Sequence, residues 1–192
     1  MNESFEKNGY LVIPNYLSRE LVLFITHYFC LSTNAGLGKF GDGQAPNSRA
    51  FYADPVAETI LELGVQSVSN LIGEEVLPTY SYTRLYGSGD ELKIHRDRPS
   101  CEISISLSLA IPENTDPSPL FFAKTEDKKD VKQVILNPGD ACLYKGCEMY
   151  HWREKFTEHP WYLQTFLHYV RKNGPYSNYK FDQRPVLGVQ RQ

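Results

Sequence analysis

The spacing of apolar residues changes near residue 77 and divides the chain into two parts. Before that point, apolar side chains recur every three or four residues in two stretches, which predicts two amphipathic helices. Ser18 is placed to cap the first helix, and Asp54 followed by Pro55 opens the second, which Gly73 ends. Beyond this point the apolar period becomes two, which predicts a series of short strands. The predicted strands span approximately residues 79–86, 91–95, 101–110, 120–124, 131–136, 141–145, 149–152 and 162–170.

This order of elements indicates an α+β fold that is mainly β. Two helices followed by about eight short strands favour an antiparallel sandwich or barrel as the core. A further β-rich run, Tyr10–Ile13, precedes the first helix. Residues 32–49 are rich in glycine and lack apolar periodicity, so we expect a long loop there and interpret it as a lid. We expect one domain over residues 1–192: helical support and the lid loop in 1–76, a β core in 77–171 and an irregular tail in 172–192.

Composition and charge are those of an ordinary globular protein. Of the 192 residues, 41% are apolar and 22% are charged. The net charge of −3, with Lys and Arg scattered along the chain, gives no indication of nucleic-acid binding. The sequence shows neither an apolar run of the roughly 20 residues that span a bilayer nor a signal-peptide pattern at its start. Four cysteines without CxxC spacing predict a reducing, cytoplasmic setting, whereas nothing in the sequence indicates the oligomeric state.

Three residues form a candidate metal site. His95 and Asp97 lie two positions apart where a predicted strand runs out into a loop, and His151 follows a second turn much later in the chain. The turn at residues 87–90, before His95, joins two predicted strands, and the turn at residues 137–140 leads into another strand pair. The three side chains can therefore meet at one mouth of a barrel. Two imidazoles and one carboxylate on one face of an octahedron leave three positions free, which suits a non-haem Fe(II) oxygenase.

Two segments around these residues carry a family resemblance. YGSGDELKIHRD at residues 86–97 resembles the YxxGxxYxxHxD signature of the 2-oxoglutarate and Fe(II)-dependent dioxygenases of the prolyl hydroxylase type, with Leu92 in place of its second tyrosine. NPGD at residues 137–140 is similar to the turn that precedes the second histidine ligand in that family. The opening segment, residues 5–21, is similar to the start of the phytanoyl-CoA dioxygenase branch. The resemblance thus covers nearly the whole chain.

The resemblance implies a fold, a ligand set and cofactors. It implies a double-stranded β-helix (jelly roll) with the N-terminal helices packed on one sheet. His95, Asp97 and His151 match the iron ligands of the family, and a carboxylate at position 97 favours hydroxylation over halogenation. The implied cofactors are Fe(II), 2-oxoglutarate as cosubstrate and dioxygen, with ascorbate as an optional reductant.

The sequence departs from the family where the cosubstrate binds. The family grips the distal carboxylate of 2-oxoglutarate with an Arg or Lys about ten residues after the second His ligand, and no cation stands there. On the strand before His95, Tyr82, Arg84 and Tyr86 share one face because side chains alternate along a strand. A buried Arg84 needs an anion, which is either the C5 carboxylate of 2-oxoglutarate or a structural partner such as Glu102 or another acid.

Other polar residues near the site receive weaker assignments. Gln164 could donate an amide hydrogen bond close to where the family places its cation. Arg153 and Lys145 are further candidates for the cosubstrate, although surface positions or contacts to ligand residues fit them better. Arg98 is expected to orient the neighbouring carboxylate at position 97.

Three functional interpretations follow. The resemblance implies a dioxygenase that hydroxylates an unactivated C–H bond of a peptidyl side chain, such as proline, or of a small metabolite, with release of succinate and CO2. The missing cation leaves the alternative of a metal-binding or regulatory jelly-roll protein without oxygenase activity. A cupin-type Zn or Mn isomerase or hydrolase would require further histidines near His95, which the sequence lacks.

Overall fold

Three helices and eleven strands occur in the part of the chain that this computed structural model describes, residues 2–157 and 160–189. The helices are α1 (Glu3–Asn8), α2 (Arg19–Asn34) and α3 (Pro55–Ile72). The strands are β1 (Tyr10–Ile13), β2 (Lys39–Phe40), β3 (Arg49–Tyr52), β4 (Val76–Gly87), β5 (Leu92–His95), β6 (Ile103–Ala110), β7 (Leu120–Ala123), β8 (Lys132–Val134), β9 (Ala141–Lys145), β10 (Tyr150–Arg153) and β11 (Trp161–Arg171). Short 3-10 segments span Pro99–Cys101 and Ser177–Gln183.

The predicted helix boundaries are confirmed at the caps. The Ser18 hydroxyl accepts a backbone N–H of the first turn of α2, and the Asp54 carboxylate does the same for α3. Gly73 ends α3 with a φ of 77°, a left-handed conformation that glycine adopts without strain. Helix α2 is longer than expected, because it continues to Asn34 and takes in the first residues of the predicted loop.

Two further strands and one helix are absent from the sequence-based prediction. Strand β2 lies inside residues 32–49 and forms the edge of a sheet, and β3 lies between β2 and β4. Both residues of β2 are exposed, so the strand has no buried face to produce an alternating pattern. Helix α1 has six residues and buries only Phe5, too few for a recognisable helical period. Residues 41–48 remain a loop, as predicted.

The strands form two antiparallel sheets that pack on each other. The larger sheet has seven strands in the order β1-β9-β6-β11-β4-β3-β2, and the smaller has four in the order β5-β10-β7-β8. The two sheets are in contact: the Phe122 ring of β7 lies 5.3 Å, centroid to centroid, from the Tyr144 ring of β9. The mainly antiparallel β architecture agrees with the prediction.

The apolar core lies between the larger sheet and the helices. Ile25 and Phe29 of α2 and Leu61 and Val68 of α3 pack with alternate residues of β6 and β11. The helices therefore cover the outer face of one sheet, as expected. No helix in the described residues is both long enough and apolar enough to cross a membrane.

The inner face of the larger sheet is polar. On β6, Ser104, Ser106 and Ser108 alternate with the core residues and are fully buried. Strand β4 contributes Tyr80, Tyr82, Arg84 and Tyr86, and β11 contributes Tyr162, Gln164, Phe166 and His168. Burying polar groups costs free energy unless the groups bind one another or a ligand. The polar face therefore indicates a binding site in the space between the sheets.

The C-terminal segment is anchored more firmly than an irregular tail. Asp182 and Arg184 are buried, and Arg184 forms an ion pair with Glu58 of α3 in which both side chains are 2% exposed. This contact ties the segment after β11 to the helical layer. Residues 190–192 of the predicted tail lie outside the described residues.

Candidate metal and cosubstrate site

The three predicted metal ligands lie together at one end of the smaller sheet. His95 ends β5, Asp97 follows it, and His151 lies in β10, the neighbouring strand. His95 and His151 are direct partners in the antiparallel register, so their rings stand side by side with centroids 4.3 Å apart. The pairing of two strands far apart in sequence therefore brings the motif and the late histidine together.

The ligand atoms converge on one point. The Nε2 atoms of His95 and His151 lie 3.6 and 3.5 Å from Oδ1 of Asp97. One ligand atom from each of the three side chains lies within 4.8 Å of the other two. Atoms at these separations can bind one ion with bonds of about 2 Å, and the donor set is the one that non-haem Fe(II) prefers.

Backbone carbonyls fix both imidazole rings. Nδ1 of His95 lies 2.8 Å from the carbonyl oxygen of Lys93, and Nδ1 of His151 lies 3.1 Å from that of Met149. With the proton on Nδ1 donated to a carbonyl, Nε2 carries the free lone pair and faces Asp97. The residues present therefore fit a metal ion.

The Asp97 carboxylate is held in its charged form. Burial raises the pKa of this carboxyl, but when the rings carry a proton on Nε2 instead of a metal, attraction to His151 and hydrogen bonds from His151 and His95 outweigh burial. The pKa consequently lies well below its ordinary range. A carboxylate that stays ionised inside a protein is ready to bind a cation.

A cavity of about 320 Å³ opens over the three residues. Its walls come from both sheets and from the loop at 41–48. They include Gln44 of the loop and Tyr80, Tyr82, Arg84, Tyr144, Phe166 and His168 of the larger sheet. The cavity is large enough for a small dicarboxylate and part of a substrate.

Arg84 lies in the cavity wall and pairs with Asp42. Its Nη2 contacts the Asp42 carboxylate, and its Nη1 donates to the Tyr86 hydroxyl at 3.2 Å. Tyr82 donates to the same carboxylate at 2.9 Å. Glu102, the acid named as a possible partner, pairs with the last residue of β11 instead. The structural acid is therefore Asp42 of the glycine-rich loop, a residue that the sequence analysis did not identify.

Arg153 is buried, which corrects the expectation of a surface position. The side chain is fully enclosed, its Nη1 donates to the Ser118 carbonyl, and its guanidinium carbon lies 5.0 Å from the centre of the Tyr162 ring. Nε and Nη2 have no hydrogen-bond partner in the described part of the chain, and no acidic side chain there forms an ion pair with Arg153. Alternation along β10 was the available signal, because positions 151 and 153 of a strand share a face.

Two other predictions have mixed outcomes. Gln164 is fully buried, its Nε2 donates to Ser106, and its Oε1 has no partner within residues 2–157 and 160–189. Arg98 was expected to orient the neighbouring carboxylate, and this is wrong: its Nη1 and Nη2 donate to Asp182 at 3.0 and 2.9 Å.

Comparisons with known proteins find relatives at the level of structure. No model of a known protein family matches the sequence, and no curated protein matches it. A prolyl-4-hydroxylase of Pseudomonas putida superimposes with a TM-score of 0.69, over 88% of this chain and 96% of that one, at 16% identity. A prolyl hydroxylase of Trichoplax adhaerens, in complex with a hypoxia inducible factor peptide fragment, gives 0.70 over 88% and 86%, at 14% identity.

A third solved structure extends over more of the chain. The epimerase SnoN, in complex with Fe3+, alpha ketoglutarate and nogalamycin RO, superimposes with a TM-score of 0.72. The match covers 97% of this chain and 89% of that one, at 13% identity. Identities this low establish similarity of fold. The chain therefore shares the mainly antiparallel β fold of these 2-oxoglutarate and Fe(II) oxygenase structures.

Proposed function

We propose that the protein is a non-haem Fe(II) and 2-oxoglutarate-dependent dioxygenase that hydroxylates an unactivated C–H bond, releasing succinate and CO2. The observation that supports this most directly is the convergence of two imidazole Nε2 atoms and one carboxylate oxygen in a cavity. Within the proposal, residues 1–192 form one domain whose two sheets close as a double-stranded β-helix.

His95, Asp97 and His151 are the proposed metal ligands. Bound Fe(II), together with 2-oxoglutarate and dioxygen, supplies the oxidising chemistry. The chain's part is to keep each Nε2 deprotonated and aimed, which the carbonyls of Lys93 and Met149 do through the opposite ring nitrogens.

Arg153 is the proposed partner of the cosubstrate's C5 carboxylate. An enclosed guanidinium with two unsatisfied nitrogens is expensive to bury, and a carboxylate would relieve that cost through a bidentate contact. Arg84 already has a carboxylate in Asp42, so its contact with the cosubstrate requires that acid to move. Tyr86 and Gln164 border the same interior and add a hydroxyl and an amide, and Tyr82 holds Asp42.

The loop at 41–48 is the proposed lid. Its Asp42 contacts Arg84 in the cavity wall, and the backbone N–H of Asn47 donates to the buried Asp90 carboxylate at 2.9 Å. The loop thus has one contact with Arg84 of the larger sheet and one with Asp90, in the turn between β4 and β5. A lid of this kind excludes water from the reacting centre.

The substrate is proposed to be a peptidyl side chain, such as proline, or a small metabolite. Relatives in structure include one crystallised with a peptide fragment and one with nogalamycin RO, so the shared fold accommodates both classes. Arg96 is exposed in the cavity wall, with its guanidinium carbon 4.8 Å from the centre of the Tyr150 ring, and is the proposed residue that an entering substrate passes.

The proposal is tested by titrating anaerobic protein with Fe(II) and then 2-oxoglutarate. We expect a visible metal-to-ligand charge-transfer band, and succinate formation once oxygen is admitted with substrate. Arg153→Gln should weaken 2-oxoglutarate binding about 30-fold or more, because it removes one partner of a buried charge pair. Lys155→Gln removes an exposed cation two residues further on and should change the affinity less than about twofold.

Two outcomes contradict parts of the proposal. If Arg84→Gln weakens 2-oxoglutarate binding far more than Arg153→Gln does, the cosubstrate assignment is reversed. If neither the band nor succinate forms with any member of a metabolite and peptide panel, the protein is a metal-binding or regulatory member of this fold.

A further inference from the structure

The second oxygen of the Asp97 carboxylate is held by a buried serine. Oδ1 of Asp97 faces the two histidines, whereas Oδ2 accepts a hydrogen bond of 3.1 Å from the Ser104 hydroxyl. Ser104 is fully buried on the inner face of β6. The same hydroxyl lies 2.8 Å from Nδ1 of His168, on the neighbouring strand β11. A chain of three polar groups therefore ends at the carboxylate.

The protons in this chain have one consistent assignment. The Ser104 hydroxyl has a single proton and two acceptor-only neighbours, Oδ2 of Asp97 and the carbonyl of Cys101 at 3.1 Å. A charged acceptor makes the stronger bond, so the proton goes to Asp97. His168 lies on the other side of the hydroxyl, with its Nδ1 at 2.8 Å. Its Nδ1–H then donates to the serine oxygen, which polarises the hydroxyl toward Asp97.

Gly146 closes the remaining side of the carboxylate. A Cβ at this position would lie 2.5 Å from Oδ2 of Asp97 and 2.2 Å from the Cys101 carbonyl oxygen. The Gly146 carbonyl also accepts the backbone N–H of Asp97 at 2.9 Å. Backbone and side chain of the carboxylate residue are thus both fixed by the turn after β9, and only glycine leaves room for this.

We infer that Ser104, backed by His168 and flanked by Gly146, is a positioning residue that fixes the Asp97 carboxylate so that it presents one oxygen, Oδ1, to the metal. The inference rests on the proposed function, because it assigns a role toward the proposed ion. Without the serine, the carboxylate loses its hydrogen bond at Oδ2 and can rotate. Metal binding must then also fix the carboxylate in one orientation, and the free energy that this costs weakens the metal affinity. Removing such an outer partner commonly weakens metal binding about 10- to 100-fold.

The test is a titration of the metal-free protein with Co(II), followed through its visible absorption, without cosubstrate. Ser104→Ala should weaken Co(II) binding about 10- to 100-fold. Ser106→Ala is the matched control: it is the same change on the same strand and face, but its hydroxyl binds Gln164 rather than Asp97. Its Co(II) affinity should stay within about twofold of wild type. Urea unfolding of the metal-free variants checks that each is folded.

Variants at His168 separate the chain of hydrogen bonds from simple packing. His168→Phe removes the donor and should weaken Co(II) binding, whereas His168→Gln keeps an N–H donor and should recover most of the affinity. In a Ser104→Ala background, His168→Phe should add no further loss, because the histidine acts only through the serine.

The outcomes distinguish this inference from the proposed function. Wild-type protein that fails to bind Co(II) overturns the metal site and the inference with it. Normal wild-type binding, combined with a Ser104→Ala affinity equal to wild type or with equal losses in Ser104→Ala and Ser106→Ala, overturns the inference alone.

Discussion

Arg153 brings a full positive charge between the two sheets without an acidic partner in the described part of the chain. Its Nη1 has a backbone carbonyl and its plane lies near the Tyr162 ring, but neither contact supplies a negative charge. Arg84 is different, because Asp42 neutralises it. Both arginines lie in the same interior, but a carboxylate neutralises only the charge of Arg84. Only Arg153 therefore gains from an anionic ligand.

Replacing Arg153 should separate stability from binding. We expect Arg153→Met to leave the free energy of unfolding of the ligand-free protein unchanged or to raise it by about 1–3 kcal/mol, because an unpaired buried charge is removed. Stabilisation by 2-oxoglutarate should disappear. Urea unfolding with and without metal and cosubstrate measures both effects.

Arg84→Met is the comparison for that experiment. It leaves the Asp42 carboxylate without its partner and should lower the free energy of unfolding. A loss of more than about 2 kcal/mol in Arg153→Met would instead mean that the guanidinium supports the fold, as removal of a satisfied buried charge does.

The loop at 41–48 is an element with little apolar anchoring of its own. Ala45 is its buried apolar residue, and Gly41 has a φ of 67°, a left-handed conformation that turns the chain. Polar contacts through Asp42 and Asn47 supply the rest of the attachment. Elements held by a few polar contacts open more readily than the core, which is what a lid requires.

Breaking the inner contact should therefore free the loop. Asp42→Asn removes a charged hydrogen bond worth about 1.5–3 kcal/mol, so opening should increase about 10-fold or more. Amide hydrogen exchange of residues 41–48 is the measurement, with the exchange of α3 as internal reference. Asp127→Asn, which removes an exposed pair with Lys129, should leave exchange at 41–48 unchanged. Unchanged exchange in Asp42→Asn would show that other contacts hold the loop.

At the scale of the whole molecule, the C-terminal segment adds polar contacts between layers that the apolar core already packs together. Arg184 pairs with Glu58 of α3 and donates to the carbonyl of Thr79 on β4 at 2.9 Å. Asp182 binds Arg98 at the rim of the cavity and the hydroxyl of Tyr52 at 2.6 Å. Asp182 and Arg184, which follow β11, thus connect the helical layer, the larger sheet and the rim of the cavity.

The buried ion pair should show strong non-additivity. Arg184→Met leaves the Glu58 carboxylate without its partner and should cost about 3–5 kcal/mol in the free energy of unfolding. Glu58→Met combined with Arg184→Met should cost less than Arg184→Met alone, since no unpaired charge remains. Lys172→Met, which removes an exposed pair with Glu75, should change stability by less than about 1 kcal/mol. A double variant at least as unstable as the single one would contradict this account.

Local signals in the sequence predicted most of the elements and the three residues of the candidate metal site. The caps at Ser18, Asp54 and Gly73 are local chemistry, and the strands follow from an alternation that a half-buried surface imposes. His95 and Asp97 stand in one motif, and the turn at residues 137–140 indicated His151, which the structure pairs with His95. These are the parts of the fold in which neighbours in sequence determine the outcome.

Contacts between distant segments could not be predicted in the same way. Asp42 meets Arg84 only because β2 and β3 place the glycine-rich loop at the sheet edge, and nothing in that loop has a period. The serine behind Asp97 belongs to an alternating strand, where Ser104 gives the same signal as Ser106. Its partner His168 is brought close by the register of β11 on β6. Pairings of this kind depend on tertiary geometry rather than on composition.

The central place of β11 in the larger sheet has a consequence for how the protein is made. This strand lies between β4 and β6 and pairs with both along most of its length, yet it is the last strand of the described chain to be synthesised. Contacts between such distant segments slow folding, and until β11 arrives the edges of β4 and β6 stay open to other chains. We therefore expect higher soluble yield when expression is slowed by low temperature, and aggregation of fragments that end before Trp161.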